Sequence, residues 1–592
     1  MKPIKILVFA AIASIFSCTV VVAATTQMSA FMKKTYHVTN SAFAVGQSST
    51  MEKLFREDSY KGKLADKILI SLAANEFEGS QIVIIPLGKD LKNVKVDVSD
   101  LVRIGGGESI RSKDILISPV GYVETTQPRY QVDRIGWWPD PLLPNKPFDV
   151  KTKHIQPVWI TVHAVPGTKA GDYKGYVTVS AAGNIPVRIP ICVKVWTFEI
   201  PREHHLRTMF NFSEGVVEGY YGTLLSSDQR RVWYKWIIDH RISPVALYPQ
   251  NELYTSRRHY GDYWPPDMVP MKEQLLPRGD DIKYACDLGA DSYNVGTHFQ
   301  GPYIWSPGYV SELTTHLKEL QERAVKEGWT DKAILYSFDE PPATDEWGER
   351  IQTRLADLRR AAPNFKTLVA FNTGTDGLKV FDKYAGDMVD IWCPISGQIS
   401  DDPAFHEALK ATGKEIWWYI CCAPGPPYPT VALIESRGIE SRLLPWMNWK
   451  YDVKGLLYHN LNWWVCNIKT YAKPWPESPW LTQQLVPQDN LPGWNGDGYL
   501  MYPGPNVTPL SSIRLENLRD GIEDYEYFYM LKKLVDSAKK RGIQDTKIEY
   551  AQKLLVMDES IAVNHRQHTI DPAVILKRRS NIAEAIEQLK SL

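Results

Sequence analysis

The strongest constraint on the fold is an alternation of short apolar runs with amphipathic helical stretches between about residues 205 and 505. The stretches at 311–327 and 346–361 carry apolar residues at three- and four-residue spacing, which is typical of helices that pack one face on a core. Eight strand and helix units in about 300 residues predict a (β/α)8 barrel, with its chemistry at the carboxyl ends of the strands. The predicted strands are 208–212, 244–248, 292–296, 333–338, 367–371, 388–394, 415–421 and 455–460.

The segments on either side of this barrel follow other patterns. Residues 25–204 contain short alternating β-branched runs without helices between them, which predicts a β-sandwich. Residues 509–592 are charged and helical in pattern, and Ser512 is placed to cap the first helix. We therefore predict a multidomain α/β protein with an N-terminal β-sandwich, a central (β/α)8 TIM-like barrel over 205–508 and a small C-terminal α-helical region.

One proline-rich stretch within the predicted sandwich, residues 136–144, carries Trp137 and Trp138. Proline restricts the backbone and removes an amide donor, so we interpret this stretch as a fixed loop. It would either plug an interdomain junction or extend over a neighbouring cleft, where Trp138 would contact a sugar.

The N-terminus has the pattern of an export signal. Lys2 and Lys5 precede an apolar run, which small residues follow, so we assign residues 1–24 as a signal peptide. Cleavage near Ala24 would release a periplasmic or secreted protein. Alternatively, the segment ending at Cys18 resembles a bacterial lipoprotein box, and a lipid there would anchor the chain to the outer membrane. We favour plain cleavage because the apolar run continues past Cys18.

Charge balance and cysteine spacing exclude several function classes. Lys plus Arg and Asp plus Glu both number 68, so no net field attracts nucleic acid or an anionic membrane. The seven cysteines form no CxxC pair and several lie in apolar runs, so we interpret them as buried, inert thiols. We predict no metal and no cofactor. Most of the 20 tryptophans fall in the barrel segment, and their flat faces suit sugar rings.

Two adjacent carboxylates, Asp339 and Glu340, end the fourth predicted strand and are followed by two prolines. Ionisable groups at the carboxyl end of a buried barrel strand lie at the catalytic mouth, so we favour a catalytic role over simple solvation. Paired carboxylates are the common machinery of glycoside hydrolysis, in which retaining enzymes use an acid and a separate nucleophile.

The seventh predicted strand lacks that nucleophile. Its only acid, Glu415, lies at the incoming end, and the outgoing end reads YICCA. A substrate-assisted mechanism needs no protein nucleophile, because the 2-acetamido oxygen of the sugar attacks the anomeric carbon. In that mechanism the Asp of an Asp-Glu pair stabilises the acetamido nitrogen, and the Glu protonates the leaving oxygen.

Four stretches of the chain resemble glycoside hydrolase family 123: the Asp339-Glu340-Pro341 strand end, 138–144 (WPDPLLP), 496–504 (GDGYLMYPG) and 512–527 (SIRLENLRDGIEDYEY). The resemblance implies a retaining, substrate-assisted β-N-acetylgalactosaminidase with a β-sandwich before its barrel. It further implies that Asp339 stabilises the acetamido group and that Glu340 is the acid/base. The partner would be a glycan with a terminal β-linked N-acetylgalactosamine, on a glycolipid, a glycoprotein or an oligosaccharide.

Other strand ends supply aromatic side chains that could stack on a sugar ring and amide side chains that could bind its hydroxyl groups. Each is interpreted either as a sugar contact or as a satisfied polar group of the core. We interpret His459 as a core histidine, and the charges that begin the C-terminal helix as caps and ion pairs. The candidate substrate-binding residues are Asn211, His298, Tyr336, Asn372, Tyr419, Tyr458, Asn460, Asn462, Trp463 and Trp464, together with Trp138.

Two other functions remain open at this point. A glycosidase for a sugar without the acetamido group would keep Glu340 as its acid and would need another carboxylate. A glycan-binding protein without catalysis would need only the aromatic residues, and the intact pair of Asp339 and Glu340 counts against it.

Overall fold

The computed structural model describes residues 42–247, 278–296, 307–464 and 493–591. These residues form two compact units. The first contains residues 42–120 and 142–199, and the second contains 121–141 and the described residues from 200 onward. The segment 121–141, which the sequence pattern assigned to the sandwich, therefore groups with the barrel.

The strands up to residue 199 form two sheets, of which the end of β7 and all of β8 except Leu142 fall in the 121–141 segment of the second unit. One sheet has the order β1-β3-β10-β7-β8 and the other β2-β12-β11-β4-β9, with β5 paired to β11 and β6 paired to β5. The strands are β1 (Phe43–Ser48), β2 (Ile68–Ala74), β3 (Glu76–Pro86), β4 (Leu91–Val98), β5 (Leu101–Arg103), β6 (Ser109–Ile110), β7 (Ile115–Thr125), β8 (Gly136–Leu142), β9 (Phe148–Val150), β10 (Gln156–Ala164), β11 (Gly171–Ser180) and β12 (Val187–Glu199).

Side-chain alternation explains why these strands enclose a core. Along β11, Tyr173, Val177 and Val179 are buried, whereas Lys174 and Tyr176 between them are exposed, as expected when successive side chains point to opposite faces. The buried faces of both sheets contribute to one apolar cluster. The predicted sandwich architecture is thus confirmed, but the predicted loop at 136–144 is largely strand β8.

The second unit contains a parallel eight-stranded sheet in the order β14-β13-β20-β19-β18-β17-β16-β15. Consecutive strands are neighbours around a barrel that is closed by hydrogen bonds except between β14 and β15. All eight predicted strands are present, which confirms the TIM-like barrel. They are β13 (Arg207–Asn211), β14 (Pro244–Val245), β15 (Tyr293–Asn294), β16 (Ala333–Asp339), β17 (Lys366–Phe371), β18 (Ile391–Pro394), β19 (Glu415–Ile420) and β20 (Gly455–Tyr458).

Helices follow these strands along the chain, and a short hairpin, β21 (Tyr502–Pro503) and β22 (Pro509–Leu510), precedes the C-terminal helices. Among the described residues the helices are α1 (Glu214–Tyr221), α2 (Ser227–Asp239), α3 (Gly279–Leu288), α4 (Pro307–Glu327), α5 (Asp345–Ala361), α6 (Gly374–Ala385), α7 (Ser396–Asp401), α8 (Pro403–Ala411), α9 (Gly438–Lys450), α10 (Ile513–Lys540), α11 (Thr546–Leu555) and α12 (Pro572–Leu589).

Helix α10 begins the C-terminal helical region and lies between α9 and the end of α2, the position of an eighth barrel helix. It begins at the Ser512 cap, whose hydroxyl accepts a hydrogen bond from Leu515 N, and it packs along α9. On its other side, Glu516 contacts His240 and Glu523 contacts Arg241, two residues that directly follow α2. These buried charges are paired, as burial requires, so the charged sequence of this helix serves packing.

One buried ion pair joins α10 to strand β8. The guanidinium of Arg514 donates to both carboxylate oxygens of Asp140 at 3.0 to 3.1 Å, and Tyr502 donates to the same carboxylate at 2.6 Å. Arg514 also donates to three backbone carbonyls, those of Val431, Ala432 and Gly496. The two recognised motifs around 138–144 and 512–527 are thus parts of one structural contact.

Candidate active site

The two carboxylates occupy the carboxyl end of β16. Asp339 is the last residue of the strand, and the backbone N–H of Glu340 donates to Ala370 O on β17 at 3.0 Å. Glu340 has a φ of 48°, a left-handed conformation that is uncommon for a residue with a side chain. Successive residues of a regular strand point to opposite faces, so this departure at Glu340 changes where its side chain points.

Tyr419, from β19, contacts this pair across the barrel mouth. Its ring is buried, and its hydroxyl donates a hydrogen bond to Oε1 of Glu340. Burial raises the pKa of Tyr419, and the charges of Glu340 and Asp339 raise it further. The hydroxyl therefore stays protonated and acts as a donor to the carboxylate. Tyr419, predicted as a sugar contact, thus also holds Glu340.

The buried thiol of Cys393 on β18 is in register with Ala370 on β17, which is itself in register with Asp339. Burial raises the pKa of Cys393 well above its usual value, and the charge of Asp339 adds to this effect. The thiol is therefore a neutral neighbour of Asp339.

A third carboxylate lies beside the mouth and was missed from the sequence. Asp497 accepts a hydrogen bond from the Tyr458 hydroxyl at 3.2 Å. His459 Nε2 lies 3.7 Å from its Oδ2. Burial raises the pKa of Asp497, although His459 and Tyr458 act in the opposite direction. The charges of both Asp497 and Glu340 act on the Cys422 thiol, so both carboxylates lie in its vicinity.

Asp497 escaped prediction because it follows no strand directly. Its sequence signal is the Gly496-Asp497-Gly498 run, which begins the 496–504 stretch that resembles the family and in which both glycines have positive φ values of 95° and 87°. A side chain at Gly496 would place its Cβ 2.6 Å from Ile434, so the tight turn that presents Asp497 needs glycine there. Gly498 N in turn donates to the Tyr458 hydroxyl at 2.8 Å.

Several predicted sugar contacts are held within the packing of the barrel. Asn462 Oδ1 accepts a hydrogen bond from Ser213 N at 2.9 Å, and Asn462 Nδ2 donates one to Ser213 O at 2.8 Å. Asn211 Oδ1 accepts from Leu247 N at 2.8 Å. Asn460 Oδ1 accepts from the backbone of Asn462 at 3.1 Å. These amides position the loops that follow the strands, as buried polar groups with satisfied hydrogen bonds commonly do.

Most of the aromatic residues predicted to contact the sugar are also buried in the protein. Trp464 is fully buried, and its indole donates to Met501 O at 2.9 Å. Trp138 is also buried and donates to Arg134 O at 3.1 Å, so it is not a tryptophan of an open loop. Tyr336 is buried within β16. Only Trp463 is half-buried, with its ring 6.0 Å from that of His459.

Two predicted residues remain apart from this arrangement. Asn372 is exposed after β17, where its carbonyl accepts from the Gln398 amide. His298 lies outside the described residues. In the described part of the chain, no group of three or more His, Cys, Asp or Glu side chains could hold a metal ion. No described helix has the length and apolar character needed to cross a membrane.

Comparison with known proteins agrees with this architecture. Residues 73–181 match the glycoside hydrolase 123 N-terminal domain, and residues 293–531 match the glycoside hydrolase 123 catalytic domain. Together these matches cover more than half of the chain. A search of curated proteins found no match.

Among solved structures, a family 123 glycoside hydrolase from Clostridium perfringens, studied for glycolipid glycan hydrolysis, is similar at 15% identity and a TM-score of 0.63. The similarity covers 93% of this chain and 97% of that one. A family 39 glycoside hydrolase from Bacteroides cellulosilyticus WH2 follows at 10% identity, with 78% and 82% coverage and a TM-score of 0.33, too low to carry an argument. The two domain matches and the shared fold show that this chain belongs to glycoside hydrolase family 123.

Proposed function

We propose that this protein is an exo-acting, retaining hydrolase that releases terminal β-linked N-acetylgalactosamine by a substrate-assisted mechanism. The observation that carries the proposal is the placement of Asp339 and Glu340 in succession at the carboxyl end of β16, with Glu340 held by Tyr419. The outgoing end of β19 offers a tyrosine and two cysteines instead of a carboxylate. A mechanism in which the substrate supplies the nucleophile suits this arrangement.

In the first step, the protonated carboxyl of Glu340 gives its proton to the leaving glycosidic oxygen. At the same time the 2-acetamido oxygen forms a bond to the anomeric carbon, and the Asp339 carboxylate stabilises the acetamido nitrogen of the oxazolinium ion. In the second step, Glu340 takes a proton from water as that water attacks the anomeric carbon and opens the ring. Two inversions at one carbon give overall retention of configuration.

The substrate that we propose is a neutral glycan ending in this sugar. The Clostridium perfringens family member is described in connection with glycolipid glycan hydrolysis, which favours a glycolipid or a similar oligosaccharide here as well. Residues 1–41 lie outside the described part of the chain, so export and the alternative lipid anchor at Cys18 stay predictions from the sequence.

A panel of aryl β-glycosides on the purified protein tests the proposal. We expect hydrolysis of the 2-acetamido galactoside, with retention of configuration followed by NMR, and no hydrolysis of the 2-hydroxy galactoside. Hydrolysis of the 2-hydroxy substrate at an equal or higher kcat/KM would contradict the proposal. Glycan binding without any hydrolysis would indicate a binding protein.

Asp497 favours one specific alternative, a glycosidase that acts on sugars without the acetamido group. Such an enzyme needs a carboxylate nucleophile in addition to the acid, and Asp497 is a buried carboxylate beside the same mouth. Under this alternative, Asp497→Asn would abolish turnover of a 2-hydroxy aryl glycoside. Under our proposal, a thiazoline analogue of the bicyclic intermediate inhibits strongly, and a protein nucleophile would make the enzyme indifferent to it.

A further inference from the structure

The loop that joins β7 to β8, residues 126–135, contacts loops of the barrel and belongs to the same compact unit. Arg129 N donates a hydrogen bond to Gly493 O at 3.1 Å. The hydroxyl of Tyr130 donates to the buried carboxylate of Glu435. These two contacts fix Tyr130 beside the segment that begins at Gly493.

Tyr130 and Trp494 form a pair of stacked rings, which we call the aromatic platform. Their ring centroids are 5.4 Å apart, with an angle of 23° between the ring planes, a geometry typical of offset stacking. Both side chains are only half-buried, so the platform keeps part of its surface exposed. Tyrosine and tryptophan offer large flat contact surfaces with only two side-chain torsions to fix, which suits them to binding.

One buried carboxylate holds both sides of the platform in place. Glu435 accepts hydrogen bonds from the Tyr130 hydroxyl and from the side-chain amide of Asn495, the residue that follows Trp494. The ring of Tyr130 and the backbone that carries Trp494 are therefore joined through the same group. A surface that is already ordered loses little conformational entropy when a ligand binds to it.

The platform lies at the mouth of the barrel. Trp494 O accepts a hydrogen bond from Asp497 N at 3.2 Å, and the Asp497 carboxylate accepts one from Tyr458 at the end of β20. The edge of the indole lies over the loop that follows β19, where a Cβ on Gly425 would be 3.6 Å from the ring. Strands β19 and β20 are neighbours, and β19 supplies the hydroxyl that contacts Glu340. The platform and the proposed acid/base therefore share one rim.

We propose that Tyr130 and Trp494 bind the sugar on the leaving-group side of the scissile bond, the one to which the terminal N-acetylgalactosamine is attached. This inference rests on the proposed function, in which the strand ends bind the terminal sugar and the rest of the glycan extends past the rim loops. The flat apolar face of an aromatic ring suits the face of a neutral sugar ring. The sequence analysis gave a sugar contact to Trp138, which is buried, and the loop before it provides Tyr130 instead.

The test compares two substrates of the full-length protein. One is a disaccharide in which N-acetylgalactosamine is β-linked to galactose, and the other is the methyl β-glycoside of N-acetylgalactosamine. Only the disaccharide has a second ring that can stack on the platform. Trp494→Ala should lower kcat/KM for the disaccharide by about three- to tenfold, the range that a stacked pair of rings contributes. It should leave kcat/KM for the methyl glycoside nearly unchanged.

Two further variants and a matched control complete the test. Trp494→Leu keeps an apolar side chain without a flat face, so it should show the same selective loss and serves if the alanine variant does not fold. Trp494→Phe keeps a ring and should retain more activity on the disaccharide. The control is Trp236→Ala, because Trp236 is also half-buried but packs on His240 at the end of α2, with ring centroids 4.1 Å apart. It should change neither rate.

An equal fractional loss on both substrates would show that Trp494 only supports the fold of the mouth. An undiminished rate on the disaccharide would show that no sugar stacks on it, and either result overturns the inference while the proposed function stands. If the parent hydrolyses neither substrate, the proposed function fails. The same comparison with the matching 2-hydroxy galactosides then tests the platform by itself.

Discussion

The hydroxyl of Tyr419 on β19 donates a hydrogen bond to the carboxylate of Glu340, 79 residues earlier at the end of β16. Both strands belong to one parallel barrel, so their carboxyl ends meet at the same rim. The donor and the left-handed backbone of Glu340 together orient the carboxylate. This relationship gives the proposed acid/base a defined position next to Asp339.

Replacement of the two carboxylates tests their proposed roles directly. Glu340→Gln should lower kcat/KM on an aryl 2-acetamido galactoside by about 10² to 10⁴, the range typical of a lost general acid. A leaving group that needs little protonation should show a smaller loss. Asp339→Asn should impair the step that uses the acetamido group. Glu346→Gln, an exposed pair with Arg350 on α5, is the control. Undiminished turnover in both carboxylate variants would refute the assignment.

Tyr419→Phe removes only the hydroxyl that contacts Glu340. A hydrogen bond to a charged group contributes about 1.5 to 3 kcal/mol, so we expect kcat/KM to fall by about tenfold or more. Because the hydroxyl acts on the group that transfers the proton, the loss should fall mainly on kcat and leave KM nearly unchanged. Tyr60→Phe, which loses a hydroxyl contact in the first unit, should change neither. An unchanged kcat would indicate a merely structural tyrosine.

Asp140→Asn should destabilise the protein severely. It leaves the buried guanidinium of Arg514 without its carboxylate partner, and loss of one partner of a buried pair costs about 3 to 5 kcal/mol. Chemical denaturation measures the loss. The matched control is Asp345→Asn, which breaks an exposed pair with Lys383 and should have no measurable effect. Equal effects from the two substitutions would show that the buried pair is not structurally important.

His565 should make the protein sensitive to acid. Its ring is buried against Trp418, and burial lowers its pKa to about 3. Below pH 6.5 the unfolded chain binds a proton that the folded protein excludes, so stability falls as the pH decreases toward 3. Between pH 6.5 and pH 5 the loss amounts to about 2 kcal/mol.

Urea unfolding of the parent and of His565→Phe at both pH values measures this contribution. The variant should lose less stability on acidification than the parent, whereas His154→Gln, at a half-buried position in the first unit, should behave like the parent. An identical pH dependence in all three proteins would exclude His565 as the cause.

The sequence alone determined the elements and the acidic pair. Strands buried on both faces appear as continuous apolar runs, which is why all eight barrel strands were found. Asp339 and Glu340 are adjacent in the chain, so their proximity needs no tertiary information. Within the sandwich, period-two alternation sufficed to predict the sheets but not the strand β8, because its prolines and tryptophans resemble those of a loop.

Tertiary structure alone decided which distant residues meet. The Tyr419 hydroxyl contacts Glu340, and the Tyr458 hydroxyl contacts Asp497, although no local pattern connects these positions. Helix α10 completes the barrel because its buried charges pair with α9 and with the end of α2. Local periodicity depends on neighbours a few residues apart. Whether a polar side chain packs in the core or takes part in catalysis depends instead on the distant residues that closure of the barrel places beside it.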